Sequence, residues 1–140
     1  MVRFSRKEDY AVILITTLAS YYNKRLVSLS EIAKTYNISL LFLRNVANEL
    51  KHQNIIIGLE GKSGGYKLKE NPKDLKMGEI LRVFSTEPLL ECCASFSTTH
   101  KKGTCPKEGF CRAGFIWRRL NKEFLDKISG LSIYEFMNYK

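Results

Sequence analysis

The sequence predicts a mainly α-helical protein with one small β-hairpin, an α+β fold class. Over residues 29–50, apolar side chains recur at spacings of three and four on either side of a break at 37–39, which is typical of two amphipathic helices. A β-branched run at 55–57 and an alternating apolar and basic run at 66–69 then flank a glycine-rich segment, the pattern of a hairpin. Helix, turn, helix and hairpin in this order predict a winged helix-turn-helix domain, and a long C-terminal helix follows.

The first helix is predicted over about residues 5–22 and supports the two helices that follow it. Asp9 lies near its start, where the helix dipole stabilises a carboxylate. Its predicted apolar face is formed by Ala11, Leu14, Leu18 and Tyr21.

The starts of the second and third helices are predicted from their capping residues. Ser28 followed three residues later by Glu31 forms a capping box, so the second helix begins at Leu29. After a break at Asn37, Ser39 is a suitable N-cap for the third helix. The third helix has an apolar stripe that faces the core, formed by Leu43, Val46, Ala47 and Leu50.

The opposite face of the third helix is the first candidate functional surface. In the major groove of DNA, Arg pairs with guanine edges and Asn with adenine edges, so this face suits insertion into that groove. An ordinary amphipathic surface helix has the same pattern, and the helix alone does not decide between the two. The candidate DNA-binding residues are Ser39 at the helix start and Leu41, Arg44, Asn45 and Asn48.

The hairpin predicts a wing whose tip lies against DNA. Its glycines supply the positive φ angles that a tight turn needs. Lys62 and Ser63 at the tip are candidate contacts to the phosphate backbone or the minor groove. Glu60 opposes this role, because phosphates repel a carboxylate, so contact by the wing depends on Lys62.

A short helix is predicted over residues 74–84, and a long segment with all four cysteines follows it. Loops of this length tend to be functional or disordered. Thiolates select iron–sulfur clusters or zinc, so the segment is a candidate metal centre. Its candidate ligands are Cys93, Cys105 and Cys111, with Cys92 as the alternative to Cys93, and His100.

Three interpretations of the cysteine segment stay open. It holds an iron–sulfur cluster of the 4Fe–4S or 2Fe–2S type, or zinc bound by three cysteines and His100, or free thiols without a metal. The spacing lacks the Cys-x-x-Cys pair that is common in zinc sites.

The final helix is predicted over residues 112 to about 129. Packing its wide apolar stripe against the same helix of a second subunit buries it with two-fold symmetry, and folding back on its own core is the alternative. Gly130 is the predicted C-cap, and 131–137 add a last turn. The stripe is formed by Ile116, Trp117, Leu120, Phe124 and Ile128.

The predicted organisation is therefore a winged helix-turn-helix domain at 1–84, a cysteine segment at 85–111, and a dimerisation helix with a C-terminal turn at 112–140. The net charge is +9, from 23 basic and 14 acidic residues, which favours a polyanionic partner such as double-stranded DNA. A charged N-terminus and the lack of a long apolar run predict no signal peptide and no membrane partner, and hence a cytoplasmic protein with reduced or metal-bound cysteines. No catalytic motif is present, so neither an enzyme nor a small-molecule substrate is predicted.

With these features in this order, the chain resembles the Rrf-two family of winged-helix transcription regulators, which includes IscR-type and NsrR-type iron–sulfur sensors. The resemblance implies a homodimeric regulator that binds a palindromic operator and senses redox, nitric oxide or iron–sulfur status through a cysteine-ligated cluster. It covers about residues 4–128 and rests on Tyr10-Ala11, Leu29-Ser30-Glu31-Ile32-Ala33, Ile38-Ser39, Leu43, Gly61, Gly64-Gly65-Tyr66, the cysteines and Trp117.

The resemblance also implies particular cluster ligands. Cys105 and Cys111 match the last two cysteines of the family's cluster motif. Asp9 matches an acidic residue that in some relatives completes the ligation in the partner subunit, and Glu8 is a weaker candidate for that role.

Three departures from the family pattern bear on this. The gap between Cys93 and Cys105 is longer than in the family, Gly114 stands where IscR-type proteins have a histidine, and Glu60 stands where the family often has an arginine. An alternative function is therefore a zinc- or cluster-binding protein-interaction or electron-transfer module that no longer binds DNA. The salt dependence of duplex binding distinguishes the two.

Overall fold

A computed structural model describes residues 5–84 and 110–140. Within these residues the chain forms six helices and one antiparallel two-stranded sheet, which confirms the predicted mainly helical fold with a hairpin. The elements are α1 (Arg6–Ser20), α2 (Leu29–Tyr36), α3 (Leu40–His52), β1 (Ile56–Leu59), β2 (Gly65–Leu68), α4 (Met77–Phe84), α5 (Arg112–Gly130) and α6 (Ile133–Met137).

The first helix begins with a capping box that was not predicted. The Ser5 hydroxyl accepts the Glu8 backbone N–H at 3.3 Å, and the Glu8 carboxylate accepts the Ser5 N–H at 2.5 Å. The helix ends at Ser20, two residues before the predicted end, because Tyr22 lies in the following turn. Of the predicted apolar face, Ala11, Leu14 and Leu18 are buried and Tyr21 is half-buried.

Serine side chains cap the next two helices as predicted. Ser28 accepts the Glu31 N–H at 3.2 Å, and Ser39 accepts the Phe42 N–H at 3.3 Å. The Glu31 carboxylate, however, binds Arg25 at 2.6 Å, so only half of the predicted capping box forms. Asn37 makes the turn between the helices with a φ of 53°.

The hairpin follows α3 directly and joins a third extended segment. Residues 56–59 pair with residues 65–68, with Ile56 opposite Leu68 and Leu59 opposite Gly65. Val27 exchanges two hydrogen bonds with Tyr66, at 3.0 and 2.8 Å. This bridge holds the chain between α1 and α2 against β2.

The predicted fourth helix starts later than expected, at Met77 rather than at residue 74. The Asn71 carbonyl accepts the N–H groups of Asp74 and Leu75 at 2.9 and 3.0 Å, so these residues form a turn after the wing. Leu75 nevertheless points into the core.

The C-terminal segment returns to the winged domain. Met77 N–H donates to Leu131 at 2.8 Å, and Ile133 N–H donates to Leu75 at 2.9 Å. Gly130 is the last residue of α5 and not its C-cap, so that prediction is wrong. The C-cap is Leu131, whose backbone is extended. The next residue, Ser132, forms an antiparallel bridge with Lys76, just before α4. Ile133 is completely buried.

Gly78 marks the contact between α4 and α5. A Cβ atom at this position would lie 2.8 Å from the Ser129 Cβ and 3.0 Å from its carbonyl oxygen, distances that side chains do not tolerate. The absence of a side chain therefore lets the two helices approach closely.

The hydrophobic core draws on almost every described element, because each has one apolar face to remove from water. None of the described helices is long and apolar enough to cross a membrane. The largest fully buried side chains are Leu14, Ile15, Leu18, Ile32, Leu43, Leu50, Ile56, Leu68, Leu75, Met77, Ile80 and Ile133.

Candidate functional site

Helix α3 separates its apolar and polar residues as the sequence predicts. The stripe of Leu43, Val46, Ala47 and Leu50 is buried completely. The other face is exposed and consists of Leu41, Arg44, Asn45 and Asn48. Burial of one face fixes the helix on the domain and leaves the second face available to a partner.

The N-terminus of α3 suits an anionic partner. Its first turn contains no acidic residue, and the N-cap Ser39 is exposed. The helix dipole places partial positive charge at this end. Arg44 one turn further on has no ion-pair partner in the part of the chain that the structure describes, and Leu41 is 69% exposed.

The wing presents its charged residues to solvent. Glu60, Lys62 and Ser63 are all exposed at the tip. Gly61 adopts a φ of 116°, and a Cβ at Gly64 would collide with the Leu59 carbonyl oxygen, so both glycines are required by the turn. The tip therefore carries Lys62, which attracts a phosphate, and Glu60, which repels one.

Of the predicted metal ligands on the cysteine segment, only Cys111 falls among the described residues; Cys92, Cys93, His100 and Cys105 lie outside them. Cys111 is half-buried and is the N-cap of α5, and its sulfur accepts the Gly114 N–H at 3.4 Å. Cys111 is thus partly accessible immediately before α5, where the sequence predicts the end of the cysteine segment.

The two acidic candidates near the start of α1 differ in availability. Glu8 is 4% exposed, and one of its carboxylate oxygens is bound to the Ser5 N–H. Its other oxygen is buried and has no hydrogen-bond partner among the described residues. Asp9 is exposed. The inward direction of Glu8 leaves Asp9 as the carboxylate that a second subunit could reach.

Within residues 5–84 and 110–140, no group of three histidine, cysteine or acidic side chains is arranged to hold a metal ion. Cys111 and Asp9 are thus the described members of a predicted ligand set whose remaining members lie in the segment 85–109.

An ion pair at the end of α1 also escaped prediction, because its residues follow no local pattern. Arg25 binds both carboxylate oxygens of Glu31, at 2.6 and 3.0 Å, and stacks on the Tyr21 ring at 4.0 Å. The hydrogen bond from Arg25 lowers the pKa of the Glu31 carboxyl below its usual value. The pair fixes the start of α2, the first helix of the helix-turn-helix, against the preceding turn.

Comparisons with known proteins agree with this architecture. The profile of the Rrf2 (Rrf-two) family, described as an iron-dependent transcriptional regulator, matches residues 4–139. The HTH-type transcriptional regulator NsrR of Halalkalibacterium halodurans is 32% identical over 104 residues, which cover 74% of this chain and 68% of that protein.

Two solved structures share the fold. CymR, the global cysteine regulator of B. subtilis, superposes with a TM-score of 0.77 at 21% identity over 100% of this chain and 99% of that one. IscR of T. potens superposes with a TM-score of 0.73 at 22% identity over 98% and 87%. With a family profile that spans nearly the whole chain and a helix-turn-helix and wing in the matching order, the protein belongs to the Rrf2 family of winged-helix, DNA-binding transcriptional regulators.

Proposed function

We propose that this regulator is a homodimer that binds a palindromic operator. Its affinity for DNA depends on a metal centre that its cysteines hold. The observation that carries the proposal is the exposed face of α3, where Arg44, without an acidic partner among the described residues, stands one turn from a helix N-terminus that lacks acidic residues.

Each exposed residue of this surface has a role in the proposal. Arg44 and Asn45 bind base edges in the major groove. Ser39 at the start of the helix binds a phosphate, and Lys62 and Ser63 of the wing bind the backbone of the adjacent groove. Leu41 and Asn48 flank the base contacts, where an apolar side chain packs against a thymine methyl.

Dimerisation follows from the exposed apolar side of α5. Phe115, Ile116, Trp117, Leu120 and Phe124 are between 40% and 58% exposed in the single chain. An exposed apolar patch of this kind marks a protein interface, and a two-fold axis lets the same patch serve both subunits. Two copies of α3 then reach successive major grooves about one helical turn apart.

The proposed metal ligands are Cys93 (or Cys92), Cys105, Cys111 and Asp9 of the partner subunit. When bound, an iron–sulfur cluster supplies a redox-active centre that is sensitive to oxygen, nitric oxide and iron supply. Ligation by Cys111 fixes the first turn of α5, because Cys111 is the N-cap of that helix. This connection supports a link between the metal centre and the spacing of the two DNA-binding domains.

The test starts from protein purified without oxygen. Its visible absorption spectrum and its iron and sulfide content identify the centre. A pool of random-sequence duplexes is then selected on the protein and sequenced, and the enriched duplex is titrated at several salt concentrations. The test variant is Arg44→Ala/Asn45→Ala. The control is Arg82→Ala, which removes an exposed arginine on α4.

We expect a brown protein that contains sulfide, an enriched palindrome, and affinity that falls steeply with salt and is lost in the test variant alone. A colourless protein that contains zinc contradicts the iron–sulfur part. Failure to enrich any duplex, or equal binding with and without the metal, contradicts the regulatory part.

A further inference from the structure

A cleft at the base of the hairpin carries an unusual concentration of positive charge. Its volume is about 330 Å³, and none of the described residues that line it is acidic. Four of them are cationic: Lys24 and Arg25 before α2, and Lys67 and Lys69 on and just after β2. The remaining lining residues are Tyr22, Asn23, Leu26, Ile57 and Leu68.

The backbone places these cations together. Lys67 and Lys69 are two residues apart in extended chain, so their side chains lie on the same face of the sheet. The Lys69 N–H continues the ladder by donating to the Ile55 carbonyl at 3.1 Å. Leu68 between them is buried. The turn that follows α1 brings Lys24 and Arg25 to the same edge, because Val27 is hydrogen-bonded to Tyr66.

Among the residues that the structure describes, three of the four cations have no carboxylate to neutralise them. Arg25 is held by Glu31. Lys24 donates to the Ser20 carbonyl at 3.3 Å and makes no ion pair with the described part of the chain. Lys67 and Lys69 make no ion pair within residues 5–84 and 110–140. Like charges held side by side destabilise a fold, and a bound anion relieves that repulsion.

The cleft lies away from the start of α3 and from the wing tip, the two ends of the proposed DNA-binding surface. The wing tip ends at Gly64, and β2 runs away from it, so Lys69 lies about 16 Å from the tip at the usual rise of a strand. The same base of the hairpin adjoins the C-terminal end of α3, through the hydrogen bond from Ile55 to Leu50. Ser39, at the other end of that helix, is about 20 Å away along its axis.

We propose that this cleft is a second anion site, which binds a phosphate group. Lysine ammonium groups are strong point-charge partners for phosphate oxygens, and the half-buried ring of Tyr22 beside them offers an apolar wall. Its distance from Ser39 at the start of α3 and from the wing tip favours a small phosphorylated molecule as the source of the phosphate. The site would then report the level of that molecule to the regulator, independently of the cysteines.

The probe is inorganic pyrophosphate, titrated into the full-length protein by calorimetry at low salt. The test variant is Lys67→Gln/Lys69→Gln, and the control is Lys76→Gln/Lys122→Gln, which removes the same charge at two exposed lysines outside the cleft. All four lysines are exposed, and circular dichroism verifies that both variants fold. A second arm measures the affinity of each protein for the selected duplex.

We expect saturable binding of one pyrophosphate per chain, weakened about tenfold for each lysine removed from the cleft and unchanged in the control. No saturable binding, or equal weakening in both variants, overturns the proposal. The duplex arm identifies the source: unchanged duplex affinity assigns the site to a small phosphorylated molecule, and a loss confined to the cleft variant assigns it to the DNA backbone. Because the pyrophosphate arm needs no operator, its failure is distinct from a failure of the proposed function.

Discussion

A single side chain on α3, Arg44, gives the most direct test of base recognition. Its guanidinium is exposed and has no carboxylate partner among the described residues. Replacement by alanine should weaken binding to the selected duplex by about 1–3 kcal/mol and relax the preference at one base pair. Fluorescence anisotropy with duplexes altered at single positions measures both effects. Arg82→Ala is the control, and an equal loss in it would mean that only net charge matters.

A second test at the level of a single residue is the effect of Glu135 protonation on folding stability. The carboxylate accepts the Ser132 N–H at 2.7 Å. Hydrogen bonding to Ser132 lowers the pKa of Glu135 below its ordinary value of 4.5. The contribution to folding stability is therefore present above pH 4.5 and is lost as the pH falls through the lower pKa of the folded state.

Between about pH 5 and pH 3, the melting temperature of the wild type should thus fall more steeply than that of Glu135→Ala. Glu70→Ala, which removes an exposed carboxylate without a hydrogen bond among the described residues, should retain the slope of the wild type. Thermal denaturation followed by circular dichroism at several pH values distinguishes the two variants, and parallel curves for all three proteins would refute the assignment.

Among the elements, α6 contributes more to the core than its five residues suggest. Ile133 is fully buried, and its backbone is bound to Leu75. Ile133→Ala should lower the free energy of unfolding by about 2–4 kcal/mol, as truncations of buried isoleucine do. Urea denaturation measures this, and Met137→Ala, at a position 42% exposed, should change stability little. Two equal and small effects would show that the C-terminal helix packs only loosely.

Helix α5 is the element on which subunit association depends. Leu120 is 44% exposed in the middle of the apolar side, so Leu120→Lys places a charge in the proposed interface, where a buried unpaired charge is strongly unfavourable. Sedimentation velocity should show monomers at concentrations where the wild type is a dimer. Asp126→Lys, on the exposed polar side, should leave the dimer intact, and dissociation by both changes would place the interface elsewhere.

At the scale of the whole molecule, removal of the metal should change the affinity for DNA and leave the dimer intact. Cys105→Ala should abolish the visible absorption of the anaerobic protein and alter its affinity for the selected duplex, because the proposed ligand set is then incomplete. The dimer should persist, since α5 supplies its apolar surface. Size-exclusion chromatography with light scattering checks assembly, and Thr104→Ala is the neighbouring control. An unaltered spectrum in Cys105→Ala would exclude this ligand.

The parts of the fold that the sequence predicted are those encoded by local patterns. Capping serines and a stripe at helical spacing located α2 and α3, because these signals act within one or two turns. The return of residues 131–137 to α4 was not predicted as part of the core, since its hydrogen bonds to Pro72, Leu75 and Met77 join residues far apart in sequence. The direction of Glu8 and the cation cluster at the hairpin base depend on tertiary packing for the same reason.

The candidate site divides in the same way. The exposed face of α3 follows from its helical period, whereas the hydrogen bond from the Gly114 N–H to the Cys111 sulfur is a detail of the helix start that residue types do not encode. The proposed metal centre would draw its ligands from a long segment and a second subunit, and such a ligand set follows no helical or strand period. Residue types indicated the chemistry there, and the ligand set stays a prediction.

The attachment of α5 to the winged domain has a mechanical consequence. The last turn of α5 packs on α4, where Ser129 lies against Gly78. The residues that follow α5 are hydrogen-bonded to Leu75 and Met77. The 19 residues of α5 make a rod of about 28 Å whose opposite tip is Cys111. A rotation of about 10° about the attached end would move this tip by about 5 Å over this length. A small rotation of α5 about its attached end would therefore correspond to a displacement of several ångströms at the Cys111 sulfur.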